Sequence, residues 1–278
     1  MPILAAILVF SVAACAISYS LFVYEAANAP DTTRPLPPGS LIPAFLWGVG
    51  AMGLTILAYP LGFVSFLWRP RGKRPTSRPE VVFLHGLYHT PAAWILFAPA
   101  LAMAGLGRAH APGYNSFGAK TFEDIARDMT SQVHAILDRS PRILLVGHSM
   151  GGLLVRRLLA DPRIARATDA AVVLGAPHQG SKVAALAPCG RSGRQLLPGS
   201  PLFSELAALP DPDDLPKLNI LSPADDMVLP NASCAIPGPG WTPWTSPPVS
   251  HVGLLYHPGV IRRVADFFKT CAATGHRA

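Results

Sequence analysis

Charge is scarce in this chain, and scarcest near its start. Only 14% of the 278 residues are Asp, Glu, Lys or Arg. Ile3–Val23 carries no charge, and neither does Leu41–Trp68. At about 21 and 28 residues, each run is long enough to cross a hydrocarbon core of roughly 30 Å as a helix. Cysteine is also sparse: four residues, too few for a disulfide-stapled scaffold. Acidic residues number 16 against 23 basic ones, for a net charge of +7. Half of the residues are hydrophobic, which excludes an intrinsically disordered chain. Residues ahead of the first apolar run lack the Lys or Arg of a signal-peptide n-region, and the run is too long for a cleaved signal. Cys15 is followed by more apolar sequence, which argues against a lipoprotein signal.

The distribution of charge predicts three parts. Residues 1–68 read as a membrane hairpin, with spans at about 3–23 and 41–68. The proline-rich loop between them holds only Glu25, Asp31 and Arg34 as charges. Residues 69–78 form a basic linker with Arg69, Arg71, Lys73, Arg74 and Arg78. Residues 79–278 are the globular domain. The positive-inside rule keeps the linker and the domain in the cytoplasm, which predicts a multi-pass protein of a bacterial inner membrane. The linker reads as a topology signal with weak attraction to anionic membrane lipid, not as a nucleic-acid patch, since no nucleic-acid motif accompanies it. Cys189 and Cys234 allow two readings. A disulfide between them points to an oxidising compartment and a periplasmic domain; free thiols leave the charge rule unopposed. The oligomeric state is not legible.

The chemistry begins at Gly147-His148-Ser149-Met150-Gly151-Gly152. The apolar run Ile143–Val146 ahead of it predicts a buried strand, and Leu153–Arg156 beyond it a helix. A serine on so sharp a strand-to-helix turn needs small neighbours, supplied by Gly147 and Gly151 two residues to either side. Serine alone is a poor nucleophile and needs a base held by an acid. In this context the chain order is Ser, then Asp or Glu, then His. Leu218–Leu221 predicts a further strand, running into Ser222-Pro223-Ala224-Asp225-Asp226; His251 lies in a loop before the last helix.

With these residues, the sequence resembles the α/β-hydrolase lipases and esterases, especially the small bacterial lipases with almost no cap. The resemblance covers residues 79–270. It rests on Val81–Leu87 with its His85-Gly86, on the elbow at 147–152, on Gly175-Ala176-Pro177-His178-Gln179-Gly180-Ser181, on 222–230 and on His251-Val252-Gly253-Leu254-Leu255-Tyr256. It implies Ser149 as nucleophile, Asp225 as acid and His251 as base. Leu87 and Met150 would supply the backbone N–H groups that stabilise the oxyanion. Related lipases place a Val three residues after the acid and a Pro two beyond that; Asp225 fits, with Val228 and Pro230. Asp226 fits a shorter spacing and stays a rival. Ester or lipid substrates follow from the resemblance. An acyltransferase or thioesterase on the same triad is the alternative, and a non-catalytic membrane protein of this fold a remoter one. No metal-ligand spacing and no cofactor motif is present, so neither is expected.

Strands are expected at 80–84, 106–111, 142–146, 170–174 and 218–221, alternating with helices at 91–104, 121–139, 151–160 and 258–269, the pattern of a mostly parallel sheet flanked by helices. Residues 182–216 read as a small lid, and the Pro/Trp-rich stretch 231–249 as loop.

Overall fold

Three of the expected strands carry the apolar runs Val81–Leu84, Ile143–Val146 and Ala170–Leu174 without polar alternation, the signature of strands covered on both faces. A computed structural model, describing residues 1–69, 78–187 and 189–273, bears this out. Its elements are α1 (Pro2–Asn28), α2 (Leu41–Ala58), β1 (Glu80–Leu84), α3 (Phe97–Met103), β2 (Ala109–His110), α4 (Phe122–Leu137), β3 (Ile143–His148), α5 (Met150–Leu159), α6 (Pro162–Ala167), β4 (Thr168–Leu174), α7 (Arg191–Arg194), α8 (Pro201–Ala207), β5 (Lys217–Leu221), β6 (Thr242–Thr245) and α9 (Pro258–Ala273). All six strands are parallel, in the order β2-β1-β3-β4-β5-β6. The basic linker at 69–78, apart from its two end residues, lies outside the described residues.

Each sheet face has its own core. On one, Val82, Leu84, Leu145 and Val173 meet Ile125, Met129 and Val133 of α4 and Leu154 and Leu158 of α5. On the other, Val81, Phe83, Val146 and Val172 meet Phe97 and Leu101 of α3 and Val260, Val264 and Phe268 of α9. The start of α4 is fixed by a reciprocal cap: Asp124 N–H donates to Thr121 Oγ1 at 3.2 Å, and Thr121 N–H to Asp124 Oδ2 at 3.0 Å.

Several boundaries differ from expectation for identifiable reasons. Residues 91–104 are not one helix. Pro99 cannot donate to the carbonyl of residue 95, so a 3-10 turn at Pro91–Trp94 precedes α3. The apolar run 41–68 breaks in the same way near Pro60: α2 ends at Ala58 and gives way to 3-10 turns at Tyr59–Phe63 and Ser65–Leu67. Strand β2 is reduced to two residues. Part of the expected loop 231–249 is strand β6, which pairs with β5 through Ile220 and Trp244. Pro243 is tolerated there because β6 is an edge strand.

Residues 1–68 form the two expected apolar helices and their joining loop. By length and composition both helices could cross a membrane. In the structure side chains of both helices pack against the sheet domain. The buried residues of α2 are Ala44, Gly48, Ala51, Thr55 and Ala58, one stripe of small side chains along its length. Ala51 and Ala58 belong to the α3/α9 core. Thr55 Oγ1 and Tyr256 Oη are 2.8 Å apart. Cys15, Tyr19 and Phe22 of α1 pack with Ala44, Ala224 and Leu229. The loop joining the helices docks too: Arg34 N–H donates to Asn231 Oδ1 at 2.7 Å.

This packing is testable at two glycines. A Cβ at Gly62 would lie 2.1 Å from Thr90 Oγ1 and 2.3 Å from Thr90 Cβ, whereas one at Gly50 would meet nothing within 4 Å. Gly62→Ala should therefore destabilise the full chain by about 1–3 kcal/mol through overpacking. Gly50→Ala should be neutral or add up to about 1 kcal/mol. Thermal unfolding in detergent reads both; equal effects would contradict the docked arrangement.

Candidate active site

The parallel sheet brings the ends of β3, β4 and β5 together at one edge, and the loops leaving them carry the residues of interest. Ser149 stands between β3 and α5 with φ 56° and ψ −127°. Only it and Tyr88 (φ 58°) have positive φ among the described non-glycine residues. Such a conformation persists only when its surroundings over-determine it, and here they do. A Cβ at Gly147 would lie 2.3 Å from Gly151 O, and one at Gly151 2.0 Å from Leu84 O. Gly86 brings the loop after β1 against the turn: a Cβ there would stand 3.0 Å from Ser149 Cβ. Leu87 follows Gly86 in that loop. Met150 is the first residue of α5, where an amide has no intrahelical acceptor and the helix dipole is positive.

The acid and the histidine meet behind this turn. His251 Nδ1 lies 3.1 and 2.9 Å from the two carboxylate oxygens of Asp225. Asp225 is fully buried and also accepts N–H bonds from Met227 (3.1 Å) and Val228 (2.9 Å) through Oδ1. Pairing Nδ1–H with a carboxylate leaves Nε2 as the nitrogen able to take a proton. Burial pulls the His251 pKa down, but the charge and hydrogen bond of Asp225, helped by Asp226, outweigh it and raise it overall. Asp226 has a different place. Its Oδ1 accepts the backbone N–H of His251 at 2.8 Å, and its Oδ2 accepts Ser18 Oγ–H of α1 at 2.5 Å. Burial raises the Asp226 carboxyl, the neighbouring Asp225 adding to it. Of the two aspartates, the structure thus pairs Asp225 with the imidazole.

Ser149 and His251 line one cavity of about 240 Å³. Their side chains share this space without a hydrogen bond between them, and such catalytic contacts tighten in the Michaelis complex. Leu87 lines the same cavity, with Tyr88, Val183, Ala184, Leu186 and Leu196 among its walls. The stretch expected as a lid is therefore divided: its first part walls the cavity, while Leu202 and Leu206 of α8 join the core.

Other histidines surround the site in neutral form. The His148 ring lies 4.6 Å from that of His251 and 5.7 Å from that of His89. His148 Nε2–H donates to His251 O at 3.1 Å. Desolvation lowers His85 to about 4 and His89 to about 3, and lowers His148 well below its usual value. None of them competes with His251 for a proton near neutral pH. His178, by contrast, lines a separate cavity beside Arg156. Cys189 is exposed and Cys234 buried, both as free thiols; the bridge between them does not form. Cys234 Sγ instead lies 4.0 Å from Asp225 Oδ2. Among the described residues no group of three or more His, Cys, Asp or Glu converges as a metal site.

The contact from Ser18 is absent from the sequence reading. A signal for it exists: Ser11, Ser18 and Glu25 recur every seven residues in a largely apolar helix and all three are buried, whereas Ser20 and Asn28, off that spacing, are exposed. That spacing marks one helix face turned toward protein.

Comparison with known proteins bears on the fold that holds these residues. The mature lipase BlEst2 of Bacillus licheniformis superposes with a TM-score of 0.59 at 14% identity, over 73% of this chain and 96% of that one. Lipase B of Aspergillus fumigatus superposes with a TM-score of 0.57 at 17% identity, over 70% of this chain and 53% of that one. At such identities the likeness is one of fold. In sequence, the chain is 35% identical to Esterase PIR7B of rice (Oryza sativa subsp. japonica) over 109 residues, 36% of this chain and 40% of that esterase, so the match spans less than half of that relative. The sequence profile of the Alpha/beta hydrolase family matches residues 81–272, about two thirds of the chain. A parallel sheet flanked by helices, a serine on the turn after β3 and this match together establish that the chain belongs to the alpha/beta hydrolase family.

Proposed function

We propose that the protein is a serine hydrolase of carboxylic esters that works at a membrane. One observation carries the reading: a cavity with largely apolar walls holds a serine on a strained turn and a histidine backed by a buried carboxylate. Ser149 Oγ attacks the ester carbonyl while His251 Nε2 takes its proton. Asp225 holds the imidazole in the required tautomer and stabilises its charged form. The N–H groups of Leu87 and Met150 bind the oxyanion, each worth about 2.7–4 kcal/mol in such sites. Collapse of the tetrahedral intermediate expels the alkoxide, which takes the proton from His251. Water, activated by the same histidine, then releases the acyl group from Ser149. Apolar side chains such as Val183, Leu186 and Leu196 favour an apolar acyl group, which agrees with lipid or short acyl esters. The lipases and the esterase to which the chain is similar support the same reaction class. Exposed apolar side chains on α1 and α2 support membrane association. The basic residues at 69–78 complement the anionic cytoplasmic leaflet and support a cytoplasmic catalytic domain, and free Cys189 and Cys234 leave that argument unopposed.

Ser149→Ala should abolish both ester hydrolysis and labelling by a fluorophosphonate, with unfolding temperature unchanged; persistent labelling would remove Ser149 from the role. Asp225→Ala should lose far more activity than Asp226→Ala, and the reverse order would exchange their roles.

The pH dependence follows from the His251–Asp225 pair. The base must be neutral, so kcat/KM should rise with pH through an apparent pKa above the ordinary value of about 6.5. An NMR titration of His251 in Ser149→Ala should show that raised value. Adding Asp225→Asn should lower it, because burial is then opposed only by the smaller effect of Asp226. By linkage, a raised folded pKa contributes stability in full below about pH 6.5, and that contribution fades as pH rises through the folded value.

Ser18→Ala leaves Asp226 Oδ2 without its hydroxyl donor. Since Asp226 anchors the His251 backbone, kcat should fall several-fold with KM unchanged, and Ser18→Thr should restore most of it. A change confined to KM would argue against this positioning role.

A further inference from the structure

The two N-terminal helices are apolar enough to span a bilayer, yet their contacts do not suit a spanning arrangement. Helix α2 lays its stripe of small residues on the domain from Ala44 to Ala58, about 21 Å at 1.5 Å per residue. If α2 crossed a membrane, that length of the domain, with its polar loops, would sit at hydrocarbon depth, where lipid satisfies no backbone group. The joining loop poses a sharper conflict. In a two-span hairpin with the domain beyond its second helix, this loop lies across the membrane from the domain. Here Arg34 N–H reaches Asn231, beside the Asp225 loop. Nearby, Lys182 Nζ of the domain bonds both carboxylate oxygens of Glu25, at 2.7 and 2.9 Å.

The opposite side of the hairpin is apolar and uncovered. Leu8, Val12, Ile42, Leu46, Leu57 and Phe63 are all exposed. Glu25, the lone charged residue in the two helices, is turned onto the domain. Positive charge is concentrated just beyond, in the sequence from Arg69 to Arg78, which complements anionic headgroups. Val183 links this surface to the site: it packs against the α1 cluster and also lines the Ser149 cavity.

We infer that the hairpin does not cross the bilayer but lies in one leaflet, its uncovered apolar side against lipid, with the joining loop and the catalytic domain on the same side of the membrane. The cavity then opens beside the leaflet that holds the hairpin.

The full chain gives the test. Asp31 is exposed in the joining loop and Cys189 is exposed on the domain. Asp31→Cys, in a Cys271→Ser background, is reconstituted into sealed vesicles of phosphatidylethanolamine and phosphatidylglycerol and treated with a membrane-impermeant maleimide. Intact mass then reports adducts molecule by molecule, and detergent lysis confirms that both thiols are reactive. The expected result is co-flotation with the vesicles and molecules carrying both adducts or neither. Molecules carrying one adduct each, on opposite thiols, would establish a spanning hairpin and overturn the inference. So would a chain that stays off the vesicles as a soluble oligomer covering this face with a second copy. Neither readout depends on esterase activity.

Discussion

The backbone of Ser149 is the constraint on which the site depends. Positive φ at a serine costs about 1–3 kcal/mol, and the fold meets that cost with packing that admits no alternative. Gly147 and Gly151 have backbone where a side chain would be, and Gly86 closes on Ser149 from the neighbouring strand end. Core layers on both sheet faces hold β1 and β3 in register, Leu84 opposite Gly147. The turn therefore cannot relax without moving two strands. The same geometry projects the hydroxyl into the cavity and sets the N-terminus of α5 beneath it.

Two adjacent buried aspartates form the second layer of the site, and a low-dielectric interior tolerates them only if each is satisfied. Asp225 is satisfied by the His251 ring and two backbone amides, Asp226 by the His251 backbone and Ser18. The histidine is thus held at both ring and main chain, and one of those restraints originates in the first helix of the protein. The N-terminal segment, which composition presents as a tether, also packs on the domain. Removing it would expose Ala224 and Leu229 and strip a donor from Asp226.

Much of the fold was legible in the sequence, as were the residues that it gathers at the candidate site. Residues 80–84 form the expected strand because the apolar run Val81–Leu84, too short for a helix of its own, is buried between the two core layers. The turn at Ser149 and the order Ser, Asp, His were readable because steric need fixes glycines near the serine, and topology fixes which strand ends carry the partners. Strand β6 was hidden because Pro243 and its neighbouring prolines read as loop, and only an edge position admits them. The docking of α1 and α2 was hidden for another reason: a helix face against lipid and one against protein have nearly the same composition. Ser18 and Asp226 lie 208 positions apart, and no local pattern joins them beyond the seven-residue spacing of polar side chains in α1. Between Asp225 and Asp226, spacing favoured the residue that the structure pairs with the His251 ring, but geometry was needed to find the other's partners.

The central claim is covalent chemistry at Ser149, and a trapped intermediate tests it most directly. The full chain, mixed with an activated short-chain ester and quenched in acid within milliseconds, should gain the mass of one acyl group. Peptide mapping should place that group on Ser149, and it should vanish on the timescale of turnover. Turnover without an acylated protein, or an acyl group on a different residue, would contradict the account.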